Sequence, residues 1–322
     1  MSLLKYVLKR IGLLIFVFLI CSTISFVLIR LLIPDAEPVL GAQAQMEAAW
    51  REALGYNRPV MVQLWRYVQN IFENRSLGMS WQINYMMPVT EVIGQRLPPT
   101  IILNIYSMLI SIPIGISLGI WAAIRKNSIT DHTISTVVMI FISVPSFVFA
   151  FLMQYLLGFR LGLFPVIGSS LYDAGGSWFN WTMTHSLILP VLALSFGPIA
   201  GFARTTRAEL TESLTNDYML LARSKGLSRS SAIRRHALRN SMVPIMPGIL
   251  GTFLGVMGGS LIIETIFGIG GVGPLFLRAL QTLDYDVFIG ISMFYFAIGL
   301  FASIIIDCSY GFIDPRIRMG EK

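Results

Sequence analysis

Six uninterrupted stretches without a charged side chain, each long enough to cross a bilayer, set the terms for what this chain can become. They run over Ile11–Ile29, Thr100–Ile124, Thr133–Phe159, Ser186–Ala203, Val243–Ile263 and Val287–Ile306. A helix needs roughly 18 or more apolar residues to traverse the hydrocarbon layer. Lipid offers no partner to a free N–H or C=O, so each stretch is expected to be helical. The expected fold class is therefore an all-α polytopic membrane protein with six transmembrane helices. Composition agrees, with 55% hydrophobic and 13% charged residues, against about 25% charged in an ordinary soluble domain. The basic start and first apolar run suit a signal peptide less well than a retained span, because the run is long and lacks a small-x-small cleavage site.

An even number of spans puts both termini on one side. Two thirds of the 24 Lys and Arg side chains fall on that side, although the opposite segments are together longer, which makes it cytoplasmic. Residues 1–33 then hold the N-terminal end and first span, and residues 34–94 an extracytoplasmic helical segment. Residues 95–308 hold the other five spans, and 309–322 a cytoplasmic tail. Cys21 and Cys308 lie far apart in apolar runs, and His132, His185 and His236 are isolated. No disulfide framework, metal site or catalytic cluster is expected.

In the outer segment, Gln43–Leu54 reads as a helix closed by Gly55. A second helix starts at Pro59, with Val60, Leu64, Val68 and Phe72 along one face. Gly115 and Gly119 in the second span form a small-xxx-small pair for close helix packing, and Pro113 beside them predicts a kink. Pro145 and Ser146 interrupt the third span, as a kink or a moving part. Gly251, Gly255 and Gly259 step by four along the fifth and predict a groove for a neighbouring helix, internal or from another subunit. Gly268, Gly270 and Gly273 satisfy G-x-G-x-x-G, but they follow a span on the outer side rather than a strand, so a dinucleotide site is rejected.

The longest polar interruption is basic and runs from Arg204 to Pro244. Asn216 and Asp217 offer N-cap chemistry to a short helix over Tyr218–Lys225, and Gly226 sits where a helix stops in the left-handed conformation. Ser228 or Ser230 can start a second helix, expected to end near Val243 because Pro244 disfavours helix in the residue before it. Tyr218, Met219 and Leu221 supply apolar surface for a partner, and Ala222 permits close approach. The alternative for Arg234, Arg235 and Arg239 is contact with anionic lipid.

This stretch resembles the EAA loop of permease subunits in bacterial ATP-binding-cassette importers, in the form carried by oligopeptide and dipeptide permeases. The resemblance rests on Asp217, Tyr218, Ala222, Gly226, His236, Ala237, Leu238, Arg239, Asn240 and Pro244. The Glu-Ala-Ala that names the loop is replaced by Leu220-Leu221-Ala222. Further likenesses lie in LGYNRPVMVQLWRYVQNIF, in Pro145-Ser146, in GLFPVIG at 162–168, in Glu264-Thr265-Ile266-Phe267 and in Asp314-Pro315-Arg316.

The resemblance implies the type I importer permease fold in a bacterial cell (inner) membrane. It implies a second homologous permease subunit, giving a heterodimer, two cytoplasmic ATPase subunits that bind ATP and Mg, and an extracytoplasmic substrate-binding protein. Membrane lipid is a partner and nucleic acid is not. Asp217, Tyr218, Met219, Leu221, Ala222, Lys225 and Gly226 would couple to the ATPases, with Arg235, His236, Arg239, Asn240 and Pro244 in the loop and second helix. The 34–94 segment would cap the membrane domain or meet the binding protein.

No G-x-x-x-x-G-K-[ST] phosphate loop occurs in the chain. No ionisable side chain is expected near the middle of a span, where secondary transporters and proton pumps place theirs. Energy is thus expected to arrive from outside, and the resemblance implies that it drives peptide uptake or, alternatively, nickel or sugar uptake. A reading from another class, a structural subunit of a membrane complex, shares the spans but has no need of the capped cytoplasmic helix.

Overall fold

The computed structural model describes residues 3–32, 45–46, 48–49, 52, 55–171, 173, 175–258 and 260–313. The expected 43–54 helix lies largely outside these residues, as do Gly259 and the Asp314–Arg318 end. In chain order the helices are α1 (Leu3–Leu32), α2 (Val60–Asn74), α3 (Val89–Ile124), α4 (Ile129–Ser143), α5 (Ser146–Met153) and α6 (Trp181–Thr215). They continue as α7 (Asp217–Ser224), α8 (Arg229–Ala232), α9 (Leu238–Leu254), α10 (Leu261–Ile266), α11 (Val272–Gln281) and α12 (Tyr285–Ile313). A two-stranded antiparallel hairpin, β1 (Met79–Ser80) with β2 (Met87–Pro88), precedes α3. Among the described residues, α1, α3, α6 and α12 are each long and apolar enough to cross a membrane. α4 and α5, with the π-helical continuation Gln154–Arg160, make a fifth candidate bent by 96°.

Three expectations about spans are corrected. The third is not one kinked helix. Val144 is extended (φ −90°, ψ 123°), as a residue before proline prefers, and Pro145 serves as the N-cap of α5. The fifth is not one helix either, because after α9 the chain tightens into a 3₁₀ turn, Gly255–Gly258, before α10 resumes. Along the expected glycine groove, a Cβ on Gly251 would touch Ile306 of α12 and one on Gly255 would meet nothing within 4 Å. Conversely, the second cytoplasmic helix does not stop at Val243; α9 runs through Pro244 and Pro247. Pro244 removes the donor for the Asn240 carbonyl, and because Pro244 and Asn240 are both exposed that carbonyl is not stranded in the core.

The chain separates into two compact units. The first comprises Met1–Thr100, Met257–Leu261 and Gly270–Ile304. Its core joins Val89, Val92 and Ile93 of α3 to Val272 and Leu275 of α11 and Val287 and Ile291 of α12. Two buried carboxylates tie the outer segment down. Asp286 accepts from Tyr56 Oη at 2.6 Å and the Met79 N–H at 3.3 Å, and pairs with Arg30 at 3.4 Å. Asp284 accepts from Ser80 Oγ at 2.6 Å and from the Gln82 and Ile83 N–H groups at 3.1 Å. Arg30 stacks on the Tyr56 ring, 3.7 Å from its centroid. Burial, with the Asp286 charge beside it, pushes the Tyr56 hydroxyl well above its ordinary pKa and keeps it a donor.

The expected apolar face of α2 is also corrected. Gln63, Tyr67 and Asn70 point inward with Val60, Leu64 and Ile71 beside them, whereas Phe72 is 80% exposed.

The second unit comprises Ile101–Val256, Ile262–Ile269 and Ile305–Lys322. Here α3 and α6 meet at backbone distance. A Cβ on Gly115 would lie 2.7 Å from the Ile199 carbonyl, and one on Gly119 would lie 2.6 Å from that of Ala203 and 2.5 Å from Thr206 Cβ. α4 is held to α6 by a bidentate pair: Arg207 Nε and Nη2 donate to the two oxygens of buried Asp131 at 2.5 and 2.8 Å. The Asn127 N–H adds a third bond at 2.9 Å. Gln154 donates to the carbonyls of Val166 and Ile266, and Gly168 N–H to that of Phe267, which gathers the loops after α5 and α10.

Two stability results follow from these contacts. Gly119→Leu should destabilise the purified protein by about 1–3 kcal/mol through overpacking, read as a lower midpoint in detergent thermal denaturation. Gly197→Leu, where a Cβ meets nothing within 4 Å, should stay near the unsubstituted value. Arg207→Ala removes the partner of the Asp131 carboxylate and should lower the same midpoint, a loss that Asp131→Asn in the same chain partly restores.

Candidate functional site

The polar insertion folds into a small packed knob at the end of α3 and α6. Met219 and Ala222 of α7 bury against Leu210 of α6, Ala123 of α3, and Ala232, Ile233 and Ala237 beyond the turn. Its stiffness is also polar. The Ser213 hydroxyl donates to the Ala237 carbonyl at 2.9 Å, which leaves Tyr218 as the donor in the short bond between the Tyr218 and Ser213 hydroxyls. One serine thus fastens the end of α6, the start of α7 and the π-helical turn Ile233–Ala237 that leads into α9.

The ends of α7 divide sequence expectation from outcome. Asn216 stands at the N-cap, but its side chain donates back to the Glu212 carbonyl and makes no capping bond. Gly226 has φ +85° as expected. Its N–H reaches the Arg223 carbonyl at 3.0 Å and the Leu227 N–H reaches Ala222 at 3.2 Å, the paired bonds of a Schellman ending. Ser228 is the residue that caps the next helix, accepting from the Ser231 N–H at 3.3 Å.

The outward face differs from the expected one. Met219 and Ala222 are each only 5% exposed and belong to the knob's own core, so neither offers surface to another protein. Tyr218 is half-buried and occupied by Ser213. The surface is Leu221, 56% exposed, and Leu220, 66% exposed, with Asp217, Arg223, Ser224, Lys225 and Gly226 also exposed around them. Leu220 was missing from the expected set. Helix phase could have found it: once Met219 and Ala222 face inward at i, i+3, Asp217, Leu220, Leu221 and Ser224 must face out. Arg235, Arg239, Asn240 and Pro244 are exposed and His236 is half-buried.

The other expected residues lie elsewhere. Gly115 and Gly119 carry the α3–α6 contact, and Pro145 and Ser146 form the corner between α4 and α5. A short helix with an apolar outer face is rooted by its inner face in the ends of two long apolar helices.

Comparison with known proteins agrees with this picture. The chain is 34% identical over 317 residues to the dipeptide transport system permease protein DppB of Lactococcus lactis, covering 98% of this chain and 99% of that one. It is 30% identical to the protein of the same name from Bacillus subtilis, covering 99% of each chain. It is 32% identical to the glutathione transport system permease protein GsiC of Salmonella paratyphi A, covering 98% of this chain and 99% of that one. Residues 3–104 match the N-terminal part of the binding-protein-dependent transport system membrane component, and residues 115–319 match the main family itself. The chain belongs to the binding-protein-dependent transport system inner membrane components, the multi-pass permease subunits of ABC transporters, with the type I permease fold.

Proposed function

We propose that this subunit forms half of a peptide-conducting pore and that its knob is the handle through which cytoplasmic ATPases open it. The single observation behind the reading is the two-sided build of α7. Met219 and Ala222 root it in α3 and α6, while Leu220 and Leu221 stand unburied on the other side. Moving a gate from about 1:99 to 99:1 takes ~5.5 kcal/mol of differential interaction. Fully burying one leucine contributes about 1.5–3 kcal/mol, and Leu220 and Leu221 are 66% and 56% exposed, so a cleft that takes both in only one gate state supplies part of that scale, and a rooted helix passes the force to the spans.

In this reading the chain itself performs no covalent chemistry. ATP and Mg bind to two ATPase subunits, a second homologous permease completes the pore, and an extracytoplasmic binding protein delivers the cargo. Six spans, counting the bent α4–α5 pair and the interrupted α9–α10 stretch, leave both termini in the cytoplasm. Peptides are the favoured cargo because the relatives similar over nearly the whole length carry dipeptide, peptide and glutathione transport in their names. Uptake of labelled di- and tripeptides into proteoliposomes of the full complex, against nickel and a sugar, tests it; uptake of nickel or sugar alone would refute it.

The handle is tested separately. Replacing Leu220 and Leu221 together by Asp should leave membrane insertion intact and sharply reduce co-purification of the ATPases. Ala222→Asp, by contrast, puts a charge inside the knob and should lower the yield of folded protein. Cysteines at 220 and 221 should crosslink to the ATPases; crosslinks confined to some other part of the chain would overturn the assignment. Gly226→Val forces a side chain into the left-handed region at about 1–2 kcal/mol and loosens the Schellman ending. It should lower peptide uptake per ATP hydrolysed while hydrolysis by the assembled complex continues.

A further inference from the structure

In α2 the usual polarity of a surface helix is reversed along one stripe. Its buried side holds Gln63 and Asn70, whose amide N–H groups find carbonyls at the two ends of the helix. Gln63 donates to the carbonyls of Tyr56 and Arg58 at 3.0 and 2.8 Å, and Asn70 to that of Ser76 at 3.2 Å. The opposite side carries Met61, Trp65 and Phe72, which are 65%, 64% and 80% exposed, with half-buried Val68 between them. Positions 61, 65, 68 and 72 follow the i, i+4, i+7, i+11 spacing of a single stripe. Gln69 and Glu73 are exposed along one edge of that stripe, and the core residues Leu64 and Ile71 lie along the other.

Depth identifies what covers the stripe. Tyr67, on the inner side of α2, packs its ring 5.3 Å from that of Phe26 in α1, and its hydroxyl lies 3.3 Å from the Leu77 carbonyl and 3.8 Å from Met293 Sδ in α12. Met293 lies eight residues into α12, about 12 Å along its axis at 1.5 Å per residue. Phe26 lies one turn inside the outer end of the apolar run of α1. α2 therefore lies alongside the outer turns of two membrane helices rather than above them. In those same turns of α1, Ile24, Leu28 and Leu31 are exposed, which is the lipid-facing surface of that span.

We infer that α2 is an interfacial helix whose Met61–Trp65–Val68–Phe72 stripe dips into the outer leaflet, with Gln69 and Glu73 at the water edge. Trp and Phe at headgroup depth suit this place, since an aromatic body enters the acyl boundary while the indole N–H stays near polar groups. A reversed stripe is unfavourable in water and favourable in lipid. The occupant is thus the membrane, and α2 anchors the outer segment against α1 and α12.

The test uses the complete transporter in nanodiscs, with Cys21 and Cys308 replaced by alanine and single nitroxide-labelled cysteines at Trp65, Phe72 and Glu73. Collision with oxygen, which concentrates in hydrocarbon, should exceed collision with a water-soluble nickel chelate several-fold at 65 and 72, and the order should reverse at 73. Preference for the nickel chelate at 65 and 72 would overturn the inference. So would shielding of both positions from both agents, which would show a protein, such as a binding protein or the second permease, seated on the stripe. Should the cysteine chains fail to assemble, the unsubstituted complex can be photolabelled with a diazirine-bearing phosphatidylcholine. Label on a peptide containing residues 61–72 supports the inference, and label on α1 without it refutes it.

Discussion

Everything in the second unit depends on how closely α3 and α6 approach. Gly115 and Gly119 replace side chains with hydrogen, so that the carbonyls of Ile199 and Ala203 come to where a Cβ would otherwise stand. In lipid no hydrophobic effect holds two apolar helices together; van der Waals contact does, and small residues maximise it. The knob inherits this rigidity. Ala123, one turn beyond Gly119, and Leu210, beyond Thr206, both enter its core. Knob and spans thus share one core, so under the proposed coupling a pull on α7 would displace two packed spans together.

The same requirement explains why the knob is internally over-fastened. A loop coupled only through its backbone would bend before it transmitted force. Here Ser213 joins three elements by its hydroxyl, and the Schellman ending fixes the exit of α7. Beside that contact on α6, Asp131 and Arg207 lock α4 to it. α6 is thus gripped by α3 through small residues, by α4 through charge, and by the knob through an apolar core. That makes α6 the common shaft of the unit.

Sequence periodicity and charge made the helical class, the Gly115–Gly119 contact, the left-handed Gly226 and the Ser228 cap legible, because each depends on residues a few positions apart. What it misjudged depends on tertiary surroundings. Met219 was expected to face a partner because a short helix in isolation has no inside; only the arrival of Ala232, Ile233 and Ala237 decides which face closes. Phe72 was grouped with Val60 and Leu64 on hydrophobicity alone, whereas the structure spends the inner positions of α2 on Gln63 and Asn70, whose partners are carbonyls that a pattern of apolar residues cannot reveal.

The prolines make the point in a sharper form. Pro145 and Pro244 carry the same local prohibition, yet one breaks a helix by 96° and the other sits inside one. Proline removes one donor and clashes with one carbonyl, and the outcome turns on where that carbonyl can go. At Pro244 the Asn240 carbonyl lies on an exposed face of the knob, so the helix runs on. At Pro145 the corresponding carbonyl is that of Phe141, whose ring stacks on Phe196 and meets Phe149 edge-on. There the chain instead turns through an extended Val144, and the aromatic cluster closes the corner between α4, α5 and the shaft helix α6. The prohibition ended the helix at Pro145 but not at Pro244, where the stop expected near Val243 did not occur.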